Sequence, residues 1–251
     1  MTSMYETDLL LNQYLLFHYG TAEDQLPYAF GPRDSLFFPL RCVTEFLPEI
    51  GKVERSLDLG CAVGRSTFEL SRWSDEALGI DSSRRFIQCA QSIQKTGRIE
   101  IRRTEEGTNV TLLQRELPSD IRRKSCKFEV GDATSLGSEI GSFDVVLAAN
   151  LIDRVDQPRK LLRSLAEIVR SGGHLILTSP YTWLEEFTPI AEWMGGTRDN
   201  LGHAKLSLEG LTTELNSTFS HEQTKDMPFL IREHARKFQW SVAQATLWKR
   251  K

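Results

Sequence analysis

Long apolar runs are missing from this chain. No stretch of 18 apolar residues occurs among its 251, so the sequence offers no membrane-spanning helix. Cysteine is scarce. The four are Cys42, Cys61, Cys89 and Cys126, and no two stand at a CxxC or other zinc-binding spacing. No metal site is therefore expected. The N-terminus lacks the basic stretch and apolar core of a signal peptide, which makes a reduced, cytoplasmic compartment the expectation. Nor is one sign of charge in excess: 31 Lys and Arg stand against 34 Asp and Glu, a net charge of −3. A nucleic-acid partner requires a basic surplus that this balance lacks. The short clusters Arg102-Arg103 and Arg122-Arg123-Lys124 read as a solvated face. No internal repeat and no second compositional block appears. With 40% hydrophobic residues, the length suits one globular domain over residues 1–251.

What the chain does contain is a glycine turn between a strand and a helix. In Ser56-Leu57-Asp58-Leu59-Gly60-Cys61-Ala62-Val63-Gly64-Arg65-Ser66-Thr67, Leu57 and Leu59 read as a buried parallel strand. Gly60 and Gly64 let the backbone turn where a side chain would clash, and 67–73 reads as the helix that follows. Such a turn sets helix amides against a bound nucleotide. Asp81 ends the next apolar strand, 77–80, and lies 17 residues beyond Gly64, where the ribose-binding carboxylate of a Rossmann unit falls. Gly131-Asp132-Ala133 and the run from Phe143 to Asn150 follow in order. This series resembles the class I S-adenosylmethionine-dependent methyltransferases. The resemblance implies an α/β, Rossmann-like fold: a seven-stranded, mostly parallel sheet flanked by helices, its seventh strand antiparallel, with S-adenosylmethionine as cofactor. Ala62 stands where many of these enzymes have a middle glycine.

Residues 4–20 place Leu10, Leu11, Tyr14, Leu15 and His18 at helical spacing, with Gly20 as a C-cap. This helix is either a plain cover or a lid over the cofactor that brings Tyr14 and His18 to the ligands. Residues 21–39 hold four prolines and glycines among aromatics and read as an ordered loop. A short helix over 40–47 completes an N-terminal cap of residues 1–50. After a helix over 82–94, residues 98–115 alternate, turn at 105–109 and alternate again, as an inserted β-hairpin does. Core strands are expected at 127–131, 143–149 and 174–178, helices at 158–169 (ended by Gly172-Gly173) and 207–217, and the last two strands at 218–226 and 240–249.

Ligands of an open α/β sheet bind outside the carboxyl ends of its parallel strands. The first three loops there should hold the cofactor. Asp58, Gly60, Cys61 and Gly64 shape the methionine side, Asp81 accepts from the ribose hydroxyls, and Ser82 and Phe86 flank the adenine. Asp132 and Ala133 match the adenine motif of the resembled family, although an aspartate there also suits a simple turn. The later loops should hold the acceptor. They carry Asn150, which also borders the cofactor, Asp153, Tyr181, Trp183, Glu185 and Glu186, and the 227–238 link adds Arg232, His234 and Arg236. Aromatics, carboxylates and a fixed cation suit a small zwitterion.

Phrases outside the cofactor motifs sharpen the resemblance. Tyr14-Leu-Leu-Phe-His-Tyr-Gly20, Phe30-Gly-Pro-Arg-Asp-Ser35, Asn150-Leu-Ile-Asp-Arg154, the run from Ser179 to Pro189 and that from Arg232 to Trp240 are similar to the 4-mercaptohistidine N1-methyltransferase family. That family includes the C-terminal methyltransferase domain of ovothiol synthase. The resemblance implies methylation of a ring nitrogen of 5-thiohistidine to give ovothiol A. It implies a separate sulfoxide synthase upstream, since no such region precedes the domain here. Asn150, Asp153 and His234 are then the catalytic candidates, with Asp153, Glu185, Glu186 or His234 fixing the imidazole tautomer and Arg232 or Arg236 facing the thiolate. The rival readings are a methyltransferase for another small acceptor and a non-catalytic cofactor-binding partner.

Overall fold

The computed structural model describes residues 4–251. A single 3-10 turn, Met4–Glu6, precedes helix α1 (Asp8–Tyr19). The expected continuous helix is broken at Thr7, whose extended backbone and hydroxyl cap the amide of Leu10. Gly20 closes α1, but with φ −65°. Glycine is used there for close approach, since a Cβ would lie 2.6 Å from the Leu16 carbonyl oxygen. Helix α2 (Ala22–Gln25) starts with a capping box between Thr21 and Asp24. Two short helices, α3 (Phe38–Thr44) and α4 (Leu47–Ile50), replace the one expected over 40–47. Each has a proline in its first turn, where no amide is needed.

The chain then enters the central strand β1 (Val53–Leu59) and continues through α5 (Arg65–Leu70), β2 (Ser74–Asp81) and α6 (Arg84–Thr96). Helix α5 begins two residues before the expected 67, directly at the glycine turn. Strands β3 (Arg98–Glu106) and β4 (Asn109–Glu116) pair antiparallel as the expected hairpin, outside the main sheet. Strands β5 (Cys126–Val130) and β6 (Phe143–Ala149), helix α7 (Pro158–Ile168) and strand β7 (Val169–Ser179) follow. Gly172-Gly173 does not end α7 as expected. It lies within β7, where the pairing with β6 shifts register between Phe143 and Val145. A two-residue pair, β8 (Thr197–Arg198) with β9 (Ala204–Lys205), leads to α8 (Ser207–Leu215) and to the long strands β10 (Phe219–His234) and β11 (Lys237–Arg250).

The seven-stranded sheet has the order β10-β11-β7-β6-β1-β2-β5. It is parallel except for β11, which runs antiparallel to both neighbours. Leu57 and Leu59 face one layer with Leu161, Leu165 and Leu211 of α7 and α8. Val145, Leu147 and Ile176 face the other, with α1, α3, α5 and α6. This order reverses direction of travel at β1, so the crevice at the carboxyl end of β1 is the switch point where ligands bind.

The 227–238 segment is strand, not a loop link. β10 and β11 pair through Met227↔Ala243 to His234↔Lys237, past Ser179, the last β7 residue paired with β11. This extension arches beyond the carboxyl edge, and its Phe229 packs on Phe17 of α1 and Phe38 of α3. Arg232, read as a substrate contact, is instead 4% exposed inside the arch. Its guanidinium donates to the Asp24 carbonyl (2.8 Å) and the Glu105 carboxylate (2.7 Å). Asp24 in turn pairs with Arg103 and Arg115. The basic clusters are part solvated face and part tether: Arg102, Arg122 and Lys124 are exposed, while Arg122 also donates to the Ser71 and Ser74 carbonyls, and Arg123 to those of Gln94 and Lys95. Removing one partner of a buried pair strands the other charge. Arg232→Ala should therefore lower the unfolding free energy by about 3 kcal/mol, read from urea denaturation. A fall below about 1 kcal/mol, the worth of a surface pair, would show that the arch holds without it.

Candidate functional site

The glycine turn after β1 is built from left-handed residues: Gly60 (φ +71°), Ala62 (φ +47°) and Gly64 (φ +88°). Gly64 also abuts Phe128, whose Cε1 lies 2.6 Å from where a Cβ would sit, so neither its conformation nor its space admits a side chain. Cys61 is 2% exposed with its thiol directed at the Ala62 carbonyl. Burial holds that thiol protonated, so Cys61 can offer a ligand only backbone. Asp58 beneath the turn is 1% exposed and accepts from the Thr67 hydroxyl at 2.7 Å. Burial pushes its carboxyl up to about 7.

Asp81 joins this turn to the end of β2. Its two oxygens accept the Ala62 and Ser83 amides, each at 2.9 Å. A carboxylate oxygen has two lone pairs, so each retains one for a ribose hydroxyl. Ser82 is exposed beside it, while Ser83 caps α6 by accepting from the Phe86 amide. Phe86 departs from the expected adenine wall: it is 2% exposed and covered by Tyr14 (ring centroids 4.9 Å apart) and Tyr5 (6.0 Å). It lies on the inward face of α6, so the cap rings, not Phe86, meet what binds there. Asp132 is exposed and one oxygen accepts from the Thr134 amide and hydroxyl. That is turn chemistry, with the second oxygen left open among the described residues. Ala133 beside it is buried at 9%.

Helix α1 lies over the glycine turn, with the Tyr19 hydroxyl donating to the Val63 carbonyl at 2.6 Å. His18 stacks on Tyr14. Burial, aided by the Arg65 charge, drives its pKa down to about 3, so it is neutral at any ordinary pH. Its Nδ1 is buried without a partner among the described residues.

Beyond β6 and β7 the backbone is strained. Asn150 (φ +51°) and Tyr181 (φ +52°) both adopt the left-handed region, which asparagine tolerates and tyrosine does not. Asn150 accepts from the Thr178 hydroxyl at 2.9 Å. Asp153 is 0% exposed and accepts from the Ser179 hydroxyl (3.1 Å) and the Thr182 amide (3.0 Å). It shapes the loop after β7 and is not open to a ligand, although burial raises its pKa. The Tyr181 hydroxyl meets Gln244 at 2.9 Å. Trp183 is 8% exposed, its indole donating to Ser207. Tyr181, Trp183 and the β8–β9 pair line a pocket of about 620 Å³. Another groove, of about 730 Å³, lies around Lys52, Asp75 and Gly173 at the amino ends of the strands. That is the wrong end for this fold's ligands.

Two residues come to the centre that the sequence reading did not single out. Tyr5 sits on α6 through its carbonyl, which accepts from Ser83. Burial raises its phenol, Arg154 acts against that rise, and Asp81, Asp153 and Glu186 add to it. Its hydroxyl thus lies within electrostatic reach of the ends of β2, β6 and β7 together. A continuous helix over 4–20 hides this; Thr7, a capping residue type just before the apolar periodicity, was the available signal. Arg154 is the cation of this group. Both loop carboxylates, Glu185 and Glu186, are exposed, and Glu186 is the one that acts on Tyr5. His234 is not brought to this group. It sits at the tip of the β10–β11 arch, where its Nδ1 accepts from the Arg236 amide and neighbouring Ala235 is held by Glu105 and Tyr28. Arg236 is exposed at that same tip.

Residues 57–177 match the methyltransferase domain family. Norajmaline N-methyltransferase of Rauvolfia serpentina is 26% identical over 129 residues, covering 51% of this chain and 36% of that protein. The ubiquinone biosynthesis O-methyltransferase of Ralstonia nicotianae is 26% identical over 143 residues, 56% of this chain and 49% of that one. The chain thus spans less than half the length of these two relatives. Among solved structures, N-methyltransferase NodS from Bradyrhizobium japonicum, in complex with S-adenosyl-L-homocysteine, aligns with a TM-score of 0.52 at 15% identity. It covers 96% of this chain and 98% of that one. Magnesium protoporphyrin IX methyltransferase from Synechocystis, with bound S-adenosylmethionine, aligns at 0.54 and 14% identity, covering 96% and 97%. The fold is that of the Rossmann-like class I methyltransferases. The matched segment, just under half of the chain, runs from β1 into β7 and so holds the glycine turn and the strands around it.

Ala62 is the point where the turn departs from the usual glycine, and its φ of +47° shows the consequence. A left-handed alanine costs about 1–2 kcal/mol, partly offset by the smaller backbone entropy it loses on folding relative to glycine. Ala62→Gly should raise the unfolding free energy by up to ~1 kcal/mol. A clear loss in chemical denaturation would show that the methyl packs favourably at this site.

Proposed function

We propose that this protein is an S-adenosylmethionine-dependent N-methyltransferase that methylates a ring nitrogen of 5-thiohistidine, forming ovothiol A. The observation that carries the reading is the group of charges at the carboxyl edge of the sheet, where Asp81, Arg154 and Glu186 all act on the Tyr5 phenol and α1 lies over the glycine turn. Such a group suits a small polar acceptor. The N-methyltransferases among the similar proteins and the long family-like phrases of the sequence support the same reading.

The donor sites fit the cofactor. The left-handed turn over Asp58 would take the methionine end, the open lone pairs of Asp81 the ribose, and Ser82, Asp132 and Ala133 the adenine. S-adenosylmethionine supplies a methyl group already activated on a sulfonium, so the protein need only align, desolvate and hold protons. The nucleophile must be the ring nitrogen that carries a lone pair. A group accepting from the opposite N–H fixes that tautomer. Glu186 is the accessible carboxylate for this role, since Asp153 is fully buried against its own loop. Asn150 stands between cofactor and acceptor loops, its amide oxygen tied to Thr178, and it orients the ligands at that junction. Tyr181 and Trp183 wall the acceptor side.

Asp81→Ala should weaken S-adenosylmethionine binding by roughly 2 kcal/mol, the worth of charge-assisted contacts to two hydroxyls. Unchanged affinity in calorimetry would remove Asp81 from the ribose site. Incubated with S-adenosylmethionine, the purified protein should methylate 5-thiohistidine on its ring and turn over histidine far less well, with the methyl position read by NMR. Equal turnover of histidine, or methylation on sulfur, would defeat the thiohistidine assignment and leave a methyltransferase for another small acceptor.

A further inference from the structure

Arg154 follows Asp153 in the 3-10 turn after β6. Among the described residues, one of its nitrogens, Nη1, makes all of its polar contacts: to the Asp153 carbonyl (3.0 Å), the Thr182 carbonyl (2.9 Å) and the Asp153 carboxylate (3.3 Å). The guanidinium carbon also stands 4.9 Å from the centre of the Phe187 ring. Side chain and plane are therefore fixed from two directions. The Nε and Nη2 edge has no partner among the described residues. Those two nitrogens present parallel N–H bonds, the fork that matches both oxygens of a carboxylate. The side chain is 27% exposed, and its charge reaches the hydroxyls of both Tyr5 and Tyr14. Its turn follows the carboxyl end of β6 and it bonds the Thr182 carbonyl in the loop after β7, which places the arginine at the sheet edge where ligands of this fold bind.

The geometry points to Arg154 as the residue that binds the acceptor's carboxylate, making the site selective for amino acids over the corresponding amines. This inference rests on the proposed methyl transfer to a small acceptor and adds which protein group holds its anionic end. Arg232, expected to face the thiolate, is not available to the acceptor, since its Nη1 and Nη2 are paired inside the arch. A lysine cannot reproduce the fork, and an amide cannot supply the charge. Because Arg154 also holds the Thr182 carbonyl, a variant could disturb the loop alone. The discriminating readout is therefore the difference between two ligands that differ only in the carboxylate.

The experiment uses the full chain saturated with S-adenosylhomocysteine and measures binding of 5-thiohistidine and of its decarboxylated analogue, 5-thiohistamine, by calorimetry. Wild-type protein should prefer 5-thiohistidine by roughly 10- to 100-fold, the range for a charged bidentate contact. Arg154→Gln should erase most of that preference, holding thiohistamine affinity within about threefold, and Arg154→Lys should restore part of it. S-adenosylhomocysteine affinity should not change in either variant. A preference kept in Arg154→Gln, or equal losses for both ligands, would overturn the inference. Binding of both ligands by the wild type, with no methylation of 5-thiohistidine once S-adenosylmethionine replaces S-adenosylhomocysteine, would overturn the substrate reading and leave the carboxylate assignment supported by the affinity difference. Binding of neither by the wild type would overturn both.

Discussion

The carboxylate of Asp81 is the constraint on which the rest of the site depends. It is the one side chain that grips the turn after β1 and the start of α6 together, through the amides of Ala62 and Ser83. Burial raises its pKa, and those two amides pull it back. The same two bonds fix where the remaining lone pairs point. A strand end, a left-handed turn and a helix N-terminus are thereby locked into one body before any ligand arrives. Preorganisation of this kind lets binding proceed without ordering the loop. The left-handed Ala62 is tolerable for the same reason, since its amide is held by a charge-assisted bond.

The roof is held by a different device. The β3–β4 hairpin, α2 and the tip of β10 meet through Asp24, Arg103, Glu105, Arg115 and Arg232, with apolar contact from Phe17, Phe38 and Phe229 alongside. Charges this buried add little net stability over an apolar equivalent, but a mispaired one is severely penalised. They therefore specify how the inserted hairpin and the arch register against the cap. The inserted hairpin thus has a structural use: Glu105 is the residue that anchors the arch.

Most of the sheet could be read from the sequence because it obeys local rules. Leu57, Leu59, the 143–149 run and the alternation at 98–115 carry their own periodicity, and the glycine turn announces itself by residues that only left-handed backbone requires. Boundaries failed where a local signal was overruled. Gly172-Gly173 looks like a helix stop, yet the chain is already strand at Val169, and the glycines absorb a register shift against β6. The 227–238 segment contains Pro228 and a cluster of charges, which read as loop. Pro228 is tolerated because β10 is the edge strand of its sheet, and Arg232 finds its partners far away in the chain while Glu233 and Lys237 pair across the hairpin.

That same distance explains what was and was not visible in the site. The cofactor residues lie within a few positions of a strand end, so topology alone locates them. The acceptor residues are placed by pairings between segments far apart in sequence. Arg232 looks like a free cation until Asp24 and Glu105 are seen beside it, and Asp153 looks like a base until Ser179 and Thr182 are seen donating to it. Arg154 shows the converse. The sequence reading passed over it, and in the fold its pairing with Asp153 uses only one of its nitrogens. Which edge of a guanidinium remains open is a property of the folded loops. Here it is decided by the strained turn at Tyr181, which delivers the Thr182 carbonyl to Nη1 and leaves the opposite edge for a ligand.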